Sequence, residues 1–192
     1  MNEEELRRQI ENYRPFNPQE ERDRREMLKL LDEGSDLFSR AGNAHFTASG
    51  WVTNRDGTRI LMAYHNIYDS WSWLGGHADG QRDLLKVALR EVQEESGLPE
   101  VRPLSEDIFS LEILTVDGHF KKGEYVSSHL HLNLTYLLQA DEDQPLRKKE
   151  DENSAVAWFE RDEAAQASSE KWMRENIYRK LNEKLTLRLK ER

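Results

Sequence analysis

The stretch that most constrains this chain is residues 90–98, which read Arg-Glu-Val-Gln-Glu-Glu-Ser-Gly-Leu. At about 100° per residue, positions i+3 and i+4 of a helix lie within about 60° of position i, so Glu91, Glu94 and Glu95 share one face. Residues 83–96 carry the matching apolar side in Leu84, Val87 and Ala88, and Gly97 sits where a helix stops. Three carboxylates on one face repel each other unless something neutralises them. A hard divalent cation that takes oxygen ligands does so, which points to Mg²⁺, with Mn²⁺ as an alternative. A solvated acidic face is the competing reading for the glutamates taken alone. Gly75 and Gly76 lead into this helix as a bend through which backbone comes close to a ligand.

The rest of the chain supplies strands for that helix to cover. Residues 45–54 alternate, Asn54, Asp56 and Gly57 mark a turn, and residues 58–65 resume a strand pattern, which predicts a hairpin. Residues 109–116 and 127–140 also read as strands, and residues 155–159 as a shorter one. Residues 170–189 form an amphipathic helix with Met173, Ile177, Leu181 and Leu185 spaced by four. Residues 3–13 and 18–33 read as two charged helices broken at Pro15, with Met27, Leu28, Leu30 and Leu31 as a narrow stripe. The class is therefore α/β of the α+β kind, with an N-terminal helical extension over residues 1–41 and one domain over 42–192. The extension's stripe needs a surface to cover, and a homodimer interface is one use for it.

Composition narrows the function classes. With 36% hydrophobic and 34% charged residues the chain is surface-rich, yet Trp 5, Tyr 6 and Phe 6 supply anchors for a core. Zero cysteines exclude disulfides, thiolate metal sites and cysteine nucleophiles. A net charge of −9 disfavours extended nucleic acid as a partner. No apolar stretch is long enough for a membrane span, and residues 1–14 carry no signal-peptide pattern, so a cytoplasmic protein is expected.

Residues 76–98 resemble the signature of the Nudix hydrolase family. Gly76 falls on its opening glycine, Arg90 and Glu91 on its Arg-Glu pair, Glu94 and Glu95 on its paired acids, and Gly97 and Leu98 on its end. One position departs: Arg82 stands where the signature has its first glutamate, with Asp79 or Asp83 expected to answer its charge. The resemblance implies an α/β/α sandwich with a mixed sheet. It implies a pyrophosphohydrolase that cleaves a nucleoside diphosphate linked to another moiety with help from divalent metal. Glu91, Glu94 and Glu95 are then the metal ligands, Glu94 and Glu95 also catalytic, and Arg90 and Gly97 structural. Family members often take a base from a downstream loop, which here offers Glu150 or, preferred, Glu152. The departure at Arg82 keeps a second reading in view, a catalytically weak module that binds a nucleotide for regulation.

Substrate contacts are expected from Gly75 and Gly76 and from Trp73, whose ring would stack on a base unless it packs in the core together with Trp71. His45, Thr47 and Ser49 share one strand side, and His129, His131 and Asn133 another, so His45 and His131 are candidates to line the pocket. A zinc site at His129 and His131 is disfavoured, because the pair has no recognisable third ligand. Lys121 and Lys122 occupy a turn that could reach phosphates, although a solvated tip is the safer assignment.

Overall fold

The computed structural model describes residues 2–121 and 123–190. Lys122 and the side chain of Lys121 lie outside the described residues. Two helices open the chain, α1 (Glu3–Asn12) and α2 (Pro18–Asp32). Asn2 and Glu5 form a reciprocal capping box on α1, and Asn17 caps α2 with Pro18 in its first turn. Strands β1 (Ala44–Thr53) and β2 (Arg59–His65) pair antiparallel. The Asn54 side chain accepts from the backbone N–H groups of Thr58 and Arg59, which fixes their turn.

Two short strands absent from the sequence reading follow, β3 (Ser70–Ser72) and β4 (Leu74–His77), and they lead into α3 (Leu84–Ser96). The chain continues through β5 (Val101–Pro103), β6 (Ser110–Val116), β7 (His119–Lys121), β8 (Glu124–Val126), β9 (His129–Ala140) and β10 (Asn153–Glu160). A short helix α4 (Arg161–Ala167) comes next. The expected C-terminal helix begins as a π-helical segment (Met173–Tyr178) and becomes α5 (Arg179–Lys190).

The main sheet has eight strands and runs β10-β2-β1-β9-β5, with β3 on β2, β4 on β1 and β6 on β9. β1 and β9 are parallel and every other pair in it is antiparallel, so the sheet is mixed as expected. One face carries Phe46, Ala48, Leu132 and Leu134, in one apolar cluster with Leu84, Val87, Ala88 and Val92 of α3. The other carries Trp51 and Leu137 against Ile177, Tyr178, Leu181 and Leu185, with Trp51 stacked on Tyr178 at 5.5 Å. Each large side chain buried this way contributes roughly 1.5–3 kcal/mol relative to exposure.

Leu6, Ile10 and Met27 of the N-terminal helices are fully buried in the first cluster. The stripe that prompted the homodimer expectation is thus covered by the chain's own core. A buried polar network fastens the same helices to the C-terminal one. Lys180 lies 2.9 Å from Glu112 and 3.2 Å from Glu20, while Lys184 lies 2.9 Å from Glu20 and the Tyr13 hydroxyl donates to Glu20 at 2.7 Å. Thr47 and Ser49 donate to Asn133, whose amide donates to Glu112 at 3.1 Å, so this part of the polar row is satisfied internally.

Candidate active site

The acidic helix is placed by its two ends. Asp83 caps the N-terminus of α3 by accepting from the N–H of Lys86. Gly97 closes it in the left-handed region at φ 68°, where a Cβ would also lie 2.7 Å from Cβ of Arg147. Between these ends the three glutamates do share one face, at graded depth: Glu95 is buried at 4% exposure, Glu91 is half-buried, and Glu94 is open.

The glycine bend presses against that face. The Gly75 N–H donates to Oε2 of Glu95 at 2.9 Å. A Cβ on Gly75 would sit 2.5 Å from the Ala48 carbonyl oxygen, and one on Gly76 would sit 2.5 Å from Cδ of Glu91. Burial pushes the Glu95 carboxyl up to about 8, against the pull of the Gly75 bond and with Glu91 and Glu152 adding to the rise.

Glu152 reaches this place from the loop before β10. Lys149 Nζ lies 3.0 Å from Glu152 and 3.7 Å from Glu94, so one ammonium bridges loop and helix. Arg90 donates to Glu91 at 2.7 Å and to the His77 carbonyl at 3.4 Å, with Glu94 at 3.9 Å. Lys149 carries no motif and was not anticipated; its position three residues before Glu152 was the only signal. The donors suit a divalent cation on the protein's own terms: oxygen ligands only, and a carboxyl that burial first, and neighbouring carboxylates second, drive upward.

The family model of the NUDIX domain matches residues 44–181. The chain belongs to the Nudix family. That membership makes it a Nudix-type hydrolase, acting on phosphoric anhydride bonds. Among solved structures, a C. elegans Ap4A hydrolase in a binary complex is similar at 18% identity and TM-score 0.57, covering 77% of this chain and 98% of that one. The Nudix hydrolase RenU from M. smegmatis is similar at 15% identity and TM-score 0.52, covering 74% and 86%. The E. coli dihydroneopterin triphosphate pyrophosphohydrolase is similar at 16% identity and TM-score 0.52, covering 70% and 92%. These likenesses show the Nudix fold. No curated protein matches the sequence.

Arg82, the departure from the Nudix signature, takes a partner other than those expected. It pairs with Glu3 of α1 and lies over the Phe38 ring at 4.6 Å, while Asp79 pairs with Arg40 and Asp83 with Lys86. The N-terminal extension thus supplies the counter-charge to Arg82.

The remaining candidates separate. Trp73 packs edge-on against Tyr178 at 5.7 Å and Trp71 against Phe159 at 4.8 Å, both beside the second apolar cluster. His45 and His131 face each other across β1 and β9 and meet His77 and His129. Burial, then His77, His45 and His129, push the His131 imidazole down to about 2, so it is neutral at ordinary pH. A cavity of about 880 Å³ lies at the far ends of β1 and β9, lined by Arg55, Arg102, Gln139 and Asp141 among others. It contains none of Glu91, Glu94, Glu95 or Glu152.

Proposed function

We propose that the chain is a metal-dependent pyrophosphohydrolase that cleaves a nucleoside diphosphate linked to another moiety. The observation that carries this reading is a charge imbalance. Four carboxylates, Glu91, Glu94, Glu95 and Glu152, are answered by two described cations, Arg90 and Lys149. Glu91, Glu94 and Glu95 would hold Mg²⁺, or Mn²⁺. When bound, such an ion neutralises phosphoryl charge and makes water more acidic.

The chain's own groups supply the rest. Gly75 and Gly76 let the bend lie directly against β1 and Glu91, because a Cβ on Gly75 would meet the Ala48 carbonyl oxygen and one on Gly76 the Glu91 carboxyl group. Glu152 is the base: it is part-exposed, tethered by Lys149, and able to accept the proton of an attacking water. Arg90 orients Glu91 and ties it to the His77 carbonyl. His45 and His131 border the bend through His77. We place the activity in residues 42–192, with residues 1–41 as a buttress, in the cytoplasm. No described helix is long and apolar enough to cross a membrane.

The regulatory-module reading drew on Arg82, and the pairing of Arg82 with Glu3 leaves the cations at the four carboxylates unchanged. The test is release of phosphate or nucleoside monophosphate from a panel of nucleoside diphosphate derivatives by the full chain. Turnover with Mg²⁺ or Mn²⁺ that chelator abolishes is expected. Saturable binding without turnover across the panel would favour the module instead.

A further inference from the structure

His45, His77 and His131 come from three strands, β1, β4 and β9, to one place. One ring nitrogen of each lies within 4.8 Å of those of the other two. Nε2 of His131 lies 3.2 Å from Nε2 of His77 and 3.1 Å from Nε2 of His129. Zinc–nitrogen bonds of about 2.0–2.1 Å in a tetrahedron set ligand nitrogens about 3.3–3.4 Å apart. His131 and His77 are therefore spaced close to the way they would be around a single ion, with His45 within 4.8 Å of both.

A second observation points the same way. His45 is 3% exposed, its Nε2 is buried without a hydrogen-bond partner, and its ring lies 5.0 to 5.1 Å from those of His77, His129 and His131. A buried polar atom with no partner is costly, and a ligand is one way to satisfy it. Nδ1 of His129 lies 2.9 Å from the Ser127 carbonyl, to which it donates, leaving the Nε2 lone pair for a ligand.

We propose that His45, His77 and His131 hold a zinc ion, in a site separate from the carboxylates of α3, with His129 flanking the fourth position. An all-imidazole set selects a borderline transition metal over Mg²⁺, which prefers oxygen. The sequence reading set zinc aside for want of a third ligand; β1 and β4 supply two. His77 directly follows Gly76, so the ion pins the glycine bend to β1 and β9. The site does not depend on the hydrolase reading.

The test uses the full chain, stripped with chelator and dialysed against Zn²⁺, with metal counted by mass spectrometry. One zinc per chain is expected in the wild type and in a Glu94→Gln/Glu95→Gln variant, and none in His131→Ala or His45→Ala. Zinc should raise the melting temperature of the first two only. Co²⁺ in place of zinc should give the intense visible bands of a tetrahedral nitrogen site. That wild-type spectrum decides the matter even where a histidine variant fails to fold. No retained zinc, a weak octahedral cobalt spectrum, or zinc lost with the glutamates and kept in His131→Ala would overturn the proposal.

Discussion

The backbone N–H of Gly75 donates to the Glu95 carboxyl group at 2.9 Å, joining the start of β4 to the last turn of the acidic helix. The bond explains why the glycine pair and the carboxylates belong to one site. The bend reaches this position because Gly75, having no side chain, can lie directly against Ala48 and Ser49 of β1. Glu95 is buried beneath it and takes its raised pKa mainly from that burial.

Gly75→Ala tests the close approach. Its Cβ would meet the Ala48 carbonyl oxygen at 2.5 Å and Cα of Ser49 at 2.7 Å, both of them backbone atoms that cannot swing aside. Overpacking of this kind costs roughly 1–3 kcal/mol. Denaturant unfolding should show that loss, and hydrolysis should fall further than stability does, because the bend moves off Glu95.

The base assignment predicts that Glu152→Gln lowers kcat by about 10²–10⁴-fold with little change in KM. A variant that keeps the wild-type kcat would remove Glu152 from the chemistry.

How much of this was legible in the sequence depends on how local each feature is. Both N-terminal helices, the β1–β2 hairpin and α3 with its Gly97 stop could be read, because caps, turns and periodicity act within a few residues. Glu91, Glu94 and Glu95 were legible for the same reason. The three- and four-residue strands β3, β4, β5, β7 and β8 are too short to show a period, and α4 lacks a side-chain cap. The histidine cluster was hidden because it depends on the parallel pairing of β1 with β9, which sets His45 opposite His131. No local pattern states that register.

Lys180→Met tests the network that binds the N-terminal helices to α5. Lys180 is 4% exposed, and its loss leaves the fully buried Glu112 without an ammonium at 2.9 Å and Glu20 with Lys184 alone. Removing one partner of a buried ion pair costs about 3–5 kcal/mol. The denaturation midpoint should drop accordingly with an unchanged slope.

The same network sets an acid limit. Burial opposes ionisation of Glu20, but Lys184 and Lys180 prevail and hold its pKa below the ordinary 4.5. Lys184 is also held below its ordinary range, because its burial outweighs the pull of Glu20, so the pairing favours the carboxylate more than the ammonium. A depressed carboxylate contributes stability that is full above about 4.5 and is lost as pH falls through its folded pKa. Melting temperature should fall in that acid window for the wild type and change less steeply for Glu20→Gln.

The most direct measurement is Mn²⁺ binding by electron paramagnetic resonance, taken alongside turnover, for the full chain and for Glu94→Gln/Glu95→Gln. The account predicts saturable Mn²⁺ at Glu91, Glu94 and Glu95 and metal-dependent hydrolysis in the wild type, with both lost in the variant. Full Mn²⁺ binding and turnover retained in the variant would contradict it.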